Sequence, residues 1–161
     1  MTFNDENQSQ QLVTNKTTIL LISDGVDMNP IVAVRSVLRR FKINCLIVAY
    51  SSPITSLQGN IIVVDQLLPI ENSIEYDALF IADGHKNASL FLNNHAVSFI
   101  NNAYKNDKVI ALAHADMVLI NKGTSLHDDE FLKENIITYS SHDNQFFKRF
   151  MHKITKNKMN S

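Results

Sequence analysis

The chain has 161 residues, of which 45% are hydrophobic and 19% are charged, and its formal net charge at pH 7 is -1. These values are typical of one globular domain, and they argue against a disordered chain and against binding to nucleic acid. No apolar run approaches the roughly 18 residues of a membrane-spanning helix, the polar start does not resemble a signal peptide, and the single Cys45 cannot form an internal disulfide. We therefore expect a cytoplasmic protein that does not associate with membranes.

The first part of the chain alternates between strand-like and helix-like stretches. Residues 1–17 are polar and are predicted to form a flexible tail before a single domain over residues 18–157. The run "TTILLIS" is typical of a strand buried on both faces, and "INCLIVAYSS" predicts a second strand. Between them, "PIVAVRSVLRRFK" has apolar residues at helical spacing, with Pro30 at the first helical position and Asn29 or Asp27 as the cap.

The stretch "PITSLQGNIIVVDQLLPIENSIE" interrupts this alternation. It contains the turn residues Pro53 and Gly59 and a β-rich run at Ile61–Val64. We interpret it as a small hairpin outside the main sheet and not as another strand–helix unit.

The second part of the chain returns to the alternation. "YDALFIADG" predicts the third main strand, and "ASLFLNNHAVSFINNAYKND" predicts one or two helices with a break near Asn93 and Asn94. "KVIALA" is a fourth strand, followed by a short helix "HADMVLINKG" that ends at Gly123. "ENIITYSS" is the last strand. The whole order predicts an α/β domain with a mostly parallel sheet covered by helices on both faces.

The chain ends in an amphipathic stretch, "DNQFFKRFMHKITKNK". Its apolar stripe of Phe146, Phe147, Phe150 and Ile154 predicts a helix that faces the core. Docking of this helix to a membrane surface or to a partner is the alternative.

Polar side chains collect where the predicted strands end. In open parallel sheets, ligands bind outside the carboxyl ends of the strands. The candidate ligand-binding residues in these positions are Asp24, Asp27, Asp83, Gly84, His85, His114 and Asp116, with Ser23 and Ala113 beside them.

Covalent catalysis at such a position needs Cys, Ser or Thr next to a base. The corner after the fourth strand has Ala113 instead, Ser140 and Ser141 lack the context of a nucleophile elbow, and Cys45 lies within a strand. The sequence thus predicts no catalytic nucleophile. Imidazole and carboxylate groups could still bind a small molecule or a metal, or move protons. The alternative is that Asp24, Asp83 and Asp116 only cap helices and turns.

Dedicated cofactor motifs are missing from the sequence. There is no GxGxxG or Walker A pattern, and the chain has four glycines. No fixed spacing of metal ligands is present, so we expect neither a metal nor a cofactor. The three cations of "LRRFK" are interpreted as a solvated helix end favoured by the helix dipole.

Three stretches together resemble the ThiJ/PfpI superfamily, whose fold is flavodoxin-like and related to class I glutamine amidotransferases. They read "TTILLISDGVDMNPIVAVRSVLRRFKINCLIVAYSS", "YDALFIADGHKN" and "VIALAHADMVL". The resemblance spans about residues 17–152 and implies a three-layer α/β/α sandwich. Within the superfamily, "NAYKNDKVIALAHAD" and the acidic stretch that follows it are most similar to the C-terminal domain of large-subunit catalases.

The resemblance also implies where catalytic relatives carry their chemistry. They have an acidic residue in the first loop, a Gly-Gly loop after the third main strand, and a Cys, often followed by His, at the strand-to-helix corner. The matching positions here are Asn29 or Pro30, then Asp83-Gly84, then Ala113-His114. The resemblance therefore implies a non-enzymatic relative without protease, glyoxalase or deglycase activity.

No haem-binding catalase core of "R-x-x-x-Y" type is present in the chain. By resemblance to the catalase domain, we expect a stabilising, assembly or chaperone-like module linked to oxidative stress. Its expected partner is a catalase or a second copy of itself. A small-molecule or metal-binding protein, and a residual hydrolase or glyoxalase, are the alternatives.

Overall fold

The protein is described by a computed structural model over residues 15–70, 74–113, 136–139 and 145–159. Within these ranges six strands form one sheet: β1 (Thr17–Ile22), β2 (Asn44–Ala49), β5 (Gln66–Leu67), β6 (Ala78–Ala82), β7 (Val109–Leu112) and β8 (Ile136–Thr138). Their order in the sheet is β5-β2-β1-β6-β7-β8, and every neighbouring pair of strands is parallel. The central strands are the continuous apolar runs that the sequence predicts, and all residues of β6 and β7 are buried.

Helices cover both faces of the sheet. Helix α1 (Met28–Arg40) and helix α3 (Gln145–Met159) pack on one face, where Ile31 and Phe150 belong to the same hydrophobic cluster as Leu20 of β1. Helix α2 (Asn94–Lys105) packs on the other face, where Ile100 and Leu79 share a second cluster. The predicted three-layer, flavodoxin-like α/β/α sandwich is therefore confirmed.

The terminal helix α3 faces the core, as its apolar stripe predicts. Phe146, Phe150 and Ile154 are fully buried, and Phe146 stacks on Phe150 with ring centroids 5.5 Å apart. No helix in the described part of the chain is long and apolar enough to cross a membrane.

The ends of the helices follow the capping residues in the sequence. Asp27 caps α1, and its carboxylate accepts a hydrogen bond from the Asn29 N–H at 3.0 Å. The helix begins at Met28, so Pro30 is its third residue and not its first. An N–H at the third position has no hydrogen-bond acceptor within the helix either, so proline is tolerated there. Asn93 caps α2, and two short 3₁₀ turns (Lys86–Ala88 and Leu90–Leu92) precede it, which confirms the predicted break.

The interruption after β2 is only partly a separate hairpin. Strands β3 (Ile54–Thr55) and β4 (Ile61–Ile62) form the predicted antiparallel hairpin. The chain then returns to the main sheet as β5, which pairs with Val48 and Ala49 at the sheet edge. The predicted hairpin excursion from the main sheet is thus confirmed, and the structure adds its return to the sheet edge as β5. A two-residue edge strand is too short to give a periodic signal in the sequence.

Two residues before the expected boundary at residue 18 already belong to the fold. Thr17 is the first residue of β1, and Lys16 is already buried, with its ammonium group donating to the Ile154 carbonyl at 3.2 Å. A Lys buried in this way needs a partner, and the carbonyl of α3 supplies one. The predicted tail up to residue 14 and the predicted helix "HADMVLINKG" lie outside the described residues.

Candidate functional site

The carboxyl ends of β1, β6 and β7 lie side by side because these strands are neighbours in the sheet. The polar residues after β1 and after β6 therefore meet at one edge, although about 60 residues separate them in the chain. Direct hydrogen bonds join the two segments: the Ser23 hydroxyl donates to Asp83 Oδ1 at 3.2 Å, and the His85 N–H donates to the Asp24 carbonyl at 2.7 Å. Of the candidate residues, Asp24, Asp83, Gly84 and His85 are brought together here.

Asp83 organises the loop that follows β6. Its Oδ1 accepts hydrogen bonds from the N–H groups of Gly84 at 3.0 Å and Leu90 at 2.8 Å, and its Oδ2 accepts one from the Ser89 hydroxyl at 2.6 Å. With the Ser23 bond, four donors converge on one half-buried carboxylate. Asp83 therefore fixes the first 3₁₀ turns after the strand, which is the structural role that the capping alternative predicts.

Gly84 lies against the backbone of the β1 loop. Its N–H donates to the Ser23 hydroxyl oxygen at 2.8 Å, and a Cβ at this position would lie 1.8 Å from the Asp24 carbonyl oxygen. No side chain larger than hydrogen fits without movement of one of the two segments. The glycine is thus required for the close approach of the two strand ends.

Asp24 and Gly25 connect the strand ends to the hairpin. Asp24 Oδ1 accepts a hydrogen bond from the Thr55 N–H at 2.9 Å, and the Gly25 N–H donates to the Thr55 carbonyl at 2.8 Å. Gly25 has a left-handed φ of +85°. The imidazole of His85 packs directly against it, since a Cβ added to Gly25 would lie 2.3 Å from the ring. The His85 side chain is otherwise exposed at the surface of this crevice.

Tyr50, which follows β2, joins the site although it was not among the candidates predicted from the sequence. Its hydroxyl donates a hydrogen bond to the Ala88 carbonyl. Burial raises the pKa of Tyr50, and the negative charges of Asp83 and Asp24 raise it further. Tyr50 therefore stays protonated at neutral pH and remains a hydrogen-bond donor. The signal in the sequence was a single tyrosine at the end of an apolar run, which core packing also explains.

Asp27 has a different role from the other candidates. Beyond capping α1, its Oδ1 accepts from the Gln58 side-chain amide at 2.8 Å, while Gln58 Oε1 accepts from the Met28 N–H at 3.0 Å. This pair of side chains fastens the hairpin to the start of α1. Asp27 is accordingly a helix cap and a tether of the hairpin.

Ala113, the residue that the resemblance matches to the thiol of catalytic relatives, directly follows β7. It is 3% exposed, and its N–H donates to the Ile81 carbonyl at 2.9 Å, which continues the pairing of β7 with β6. A methyl group has no lone pair and cannot attack a carbonyl carbon. The candidates His114 and Asp116 lie outside the described residues.

Within the described ranges, no three His, Cys, Asp or Glu side chains are close enough together to hold a metal ion. The described site offers hydrogen-bonding groups from Asp24, Tyr50 and His85, together with the negative charge of Asp24.

Comparison with known proteins places this architecture in a family. Residues 16–127 match the model of the DJ-1/PfpI family. A ThiJ/PfpI domain protein from Brachyspira murdochii has a TM-score of 0.64 and 12% identity, and the match covers 91% of this chain and 98% of that one. No curated protein matches the chain significantly in sequence.

Two further solved structures match a smaller part of the chain. Drosophila melanogaster DJ-1beta has a TM-score of 0.60 and 16% identity over 68% of this chain and 61% of its own. A DJ-1 superfamily protein from Salmonella typhimurium has a TM-score of 0.58 and 21% identity over 65% and 59%, respectively. At these identities the likeness establishes the fold, and the chain spans about three fifths of the length of both proteins.

Proposed function

Because the chain belongs to the DJ-1/PfpI family, we propose that it is a non-catalytic member that acts by binding other proteins. The observation that carries the proposal is Ala113, a buried methyl group at the corner where the family resemblance requires a thiol. The protein would therefore act through contacts of its surface with other proteins and not through covalent catalysis at this corner.

The other two catalytic positions support the same conclusion. At the position of the Gly-Gly loop this chain keeps one glycine, Gly84, and its N–H already donates to the Ser23 hydroxyl and to Asp83. The acidic residue that relatives carry in the first loop corresponds to Asn29 or Pro30, and the nearby Asp27 caps a helix and holds Gln58. No described group at this edge is thus arranged to activate a nucleophile or a water molecule.

The resemblance to the C-terminal domain of large-subunit catalases gives the proposal its specific form. We expect a stabilising or chaperone-like module linked to oxidative stress, with a catalase or a second copy of the chain as partner. Purified protein should suppress thermal aggregation of a client enzyme, and a catalase should be retained in a pull-down. Absence of both protection and a bound partner would refute the interaction proposal.

Restoring the thiol alone should not restore chemistry. We expect the wild-type protein and Ala113→Cys neither to convert methylglyoxal and water into lactate nor to cleave a peptide substrate above the buffer background, because the acidic partner is missing as well. The assay follows lactate formation and peptide cleavage. A wild-type activity that is lost in both His114→Ala and Asp27→Ala would refute the proposal, whereas activity that survives both substitutions marks a contaminant.

The hairpin is the surface that we propose for self-association. Leu57, Ile61 and Val63 are 61%, 72% and 77% exposed, and three large apolar side chains on one short hairpin are unusual for a free surface. The hairpin is fastened to α1 through Gln58, so it presents these side chains on a rigid base. A symmetric dimer would bury them.

The double substitution Ile61→Asp with Val63→Asp should convert a wild-type dimer into a monomer, because two charges would be desolvated in the interface. Light scattering after size-exclusion chromatography measures the mass of each species. Leu92→Asp is the matched control, since Leu92 is 63% exposed but lies on the 3₁₀ turn before α2. A wild-type protein that is monomeric at micromolar concentration, or a mutant that remains dimeric, would contradict the assignment of this surface.

A further inference from the structure

A surface depression lies where β2 begins, at the amino ends of the strands and thus opposite the polar site at their carboxyl ends. It has a volume of about 440 Å³ and is lined by Arg35, Arg39, Lys42, Ile43, Asn44 and Cys45. Three of these six residues are cationic, and none is acidic. The charged residues that line the depression are therefore all cationic, in a chain whose net charge is -1.

The cations converge because of the way α1 ends. Arg35 and Arg39 are four residues apart and thus lie on one face of the helix. Lys42 has a left-handed φ of +57°, and hydrogen bonds from its N–H to the Arg39 carbonyl and from the Ile43 N–H to the Leu38 carbonyl reverse the chain. This reversal places Lys42 beside the two guanidinium groups as the chain enters β2.

Neither guanidinium has a carboxylate partner among the described residues. Attraction to the negative end of α1 accounts for Arg39, which is in the last turn. It does not account for Arg35, one turn earlier, since the effect of the dipole falls off within the last turn. The interpretation of "LRRFK" as only a solvated helix end is therefore incomplete, because it leaves out Arg35 and the depression that both arginines line.

Cys45 is one of the residues that line the depression, and the nearby charges act on its thiol. Burial raises the pKa of its thiol to about 11; the charges of Arg35 and Arg39 oppose this rise, while Asp65 adds to it. The carboxylate of Asp65 is already engaged, because its Oδ2 accepts the Ile47 N–H at 2.7 Å. Both guanidinium groups thus act on the thiol of this lining residue.

The edge of β2 adds a backbone donor. The Asn44 N–H donates to the Lys16 carbonyl on the β1 side, so by the alternation of a strand the Cys45 N–H points to the outer edge. In the described structure β5 pairs only with Val48 and Ala49 on that edge. No described strand pairs with the edge at Cys45, so this N–H has no partner strand in the described structure.

We propose that this depression binds the phosphate group of a small soluble phosphomonoester. The planar guanidinium group matches the oxygens of a phosphate in a bidentate manner, and two unpaired guanidinium groups suit a dianion better than a single carboxylate. A volume of about 440 Å³ accommodates the phosphate together with a small organic part. This inference is independent of the function proposed for the opposite edge.

Ligand binding to the depression can be followed through the rate at which Cys45 is chemically modified, since it is the only cysteine in the chain. Full-length protein is treated with a small neutral thiol reagent, methyl methanethiosulfonate, at low salt, with glucose 6-phosphate, inorganic phosphate or glucose as the added probe. We expect both phosphates to slow the modification of Cys45 about fivefold, because the bound anion covers the thiol. Glucose should have no effect.

Charge-neutral variants locate the site. Arg35→Gln combined with Arg39→Gln should abolish protection by phosphate, whereas Arg40→Gln should retain it. Arg40 makes the matched control because it has the same charge on the same helix but does not line the depression. Circular dichroism verifies that all variants are folded, and calorimetric titration with glucose 6-phosphate gives a second measurement that does not depend on the thiol.

Several outcomes would overturn the proposal. One is the absence of protection and of binding heat with both phosphates; another is equal protection in the Arg35→Gln, Arg39→Gln variant. Equal protection by a tricarboxylate such as citrate would show that the site does not select phosphate. Protection by vesicles containing phosphatidic acid, but not by the soluble phosphates, would assign the site to a lipid headgroup instead.

Discussion

Replacing Gly84 with alanine is expected to lower the free energy of unfolding by about 3 kcal/mol. The added Cβ would lie 1.8 Å from the Asp24 carbonyl oxygen and 2.8 Å from that of Ser23, so backbone atoms and not a flexible side chain obstruct it. Relief of the clash would separate the ends of β1 and β6. That movement would stretch the bonds from the Gly84 N–H to Ser23 and from the His85 N–H to Asp24.

Gly59→Ala provides the control for this experiment. Gly59 has a φ of +85° and no atom within 4 Å of an added Cβ, so its substitution should cost only the strain of a left-handed alanine, about 1 kcal/mol. Gly84 does not have a left-handed conformation, and its effect is purely steric. Urea denaturation of both variants measures the difference. Equal stabilities would mean that the two strand ends separate without cost and are not held together as described.

Replacing Asp83 with alanine should also destabilise the protein by about 3 kcal/mol. The substitution leaves the Ser89 hydroxyl, the Leu90 N–H and their neighbours without the acceptor that they share, in a half-buried loop. Asp83→Asn should cost about half as much, because the remaining amide oxygen can still accept from the Leu90 and Gly84 N–H groups. Denaturant-induced unfolding gives both values.

The Asp83 variants separate a structural carboxylate from a catalytic one. A residue kept for chemistry alone would change the stability little when it is replaced, and could even raise it. Glu75→Ala is the control, since Glu75 is an exposed carboxylate close to the start of β6. If Asp83→Ala were as stable as Glu75→Ala, the assignment of Asp83 to loop organisation would be wrong.

The polar edge at the carboxyl ends of the strands illustrates how far the sequence could go. The sequence pattern placed Ser23, Asp24, Asp83 and His85 at strand ends, because apolar runs of five or six residues bounded by polar loops are a local pattern. It could not assign their roles. Asp83 as a cap and Asp83 as an acid look the same in sequence, and only the four donors around its carboxylate distinguish them.

The resemblance to the ThiJ/PfpI superfamily depended on whole stretches of sequence and is confirmed by the match of residues 16–127 to the DJ-1/PfpI family. The narrower resemblance to catalase C-terminal domains remains a prediction. So does the absence of enzymatic activity, for which the wild-type and Ala113→Cys assays are the test.

The sequence by itself determined the buried strands, the core-facing side of α3 and the absence of a nucleophile at residue 113, because each depends on the type and spacing of residues close together in the chain. Only the tertiary structure decided that β5 returns to the sheet, that Tyr50 joins the polar edge, and that Arg35 and Arg39 face Cys45. These features depend on strand order and on contacts between separate segments, which local hydrophobic patterns do not encode.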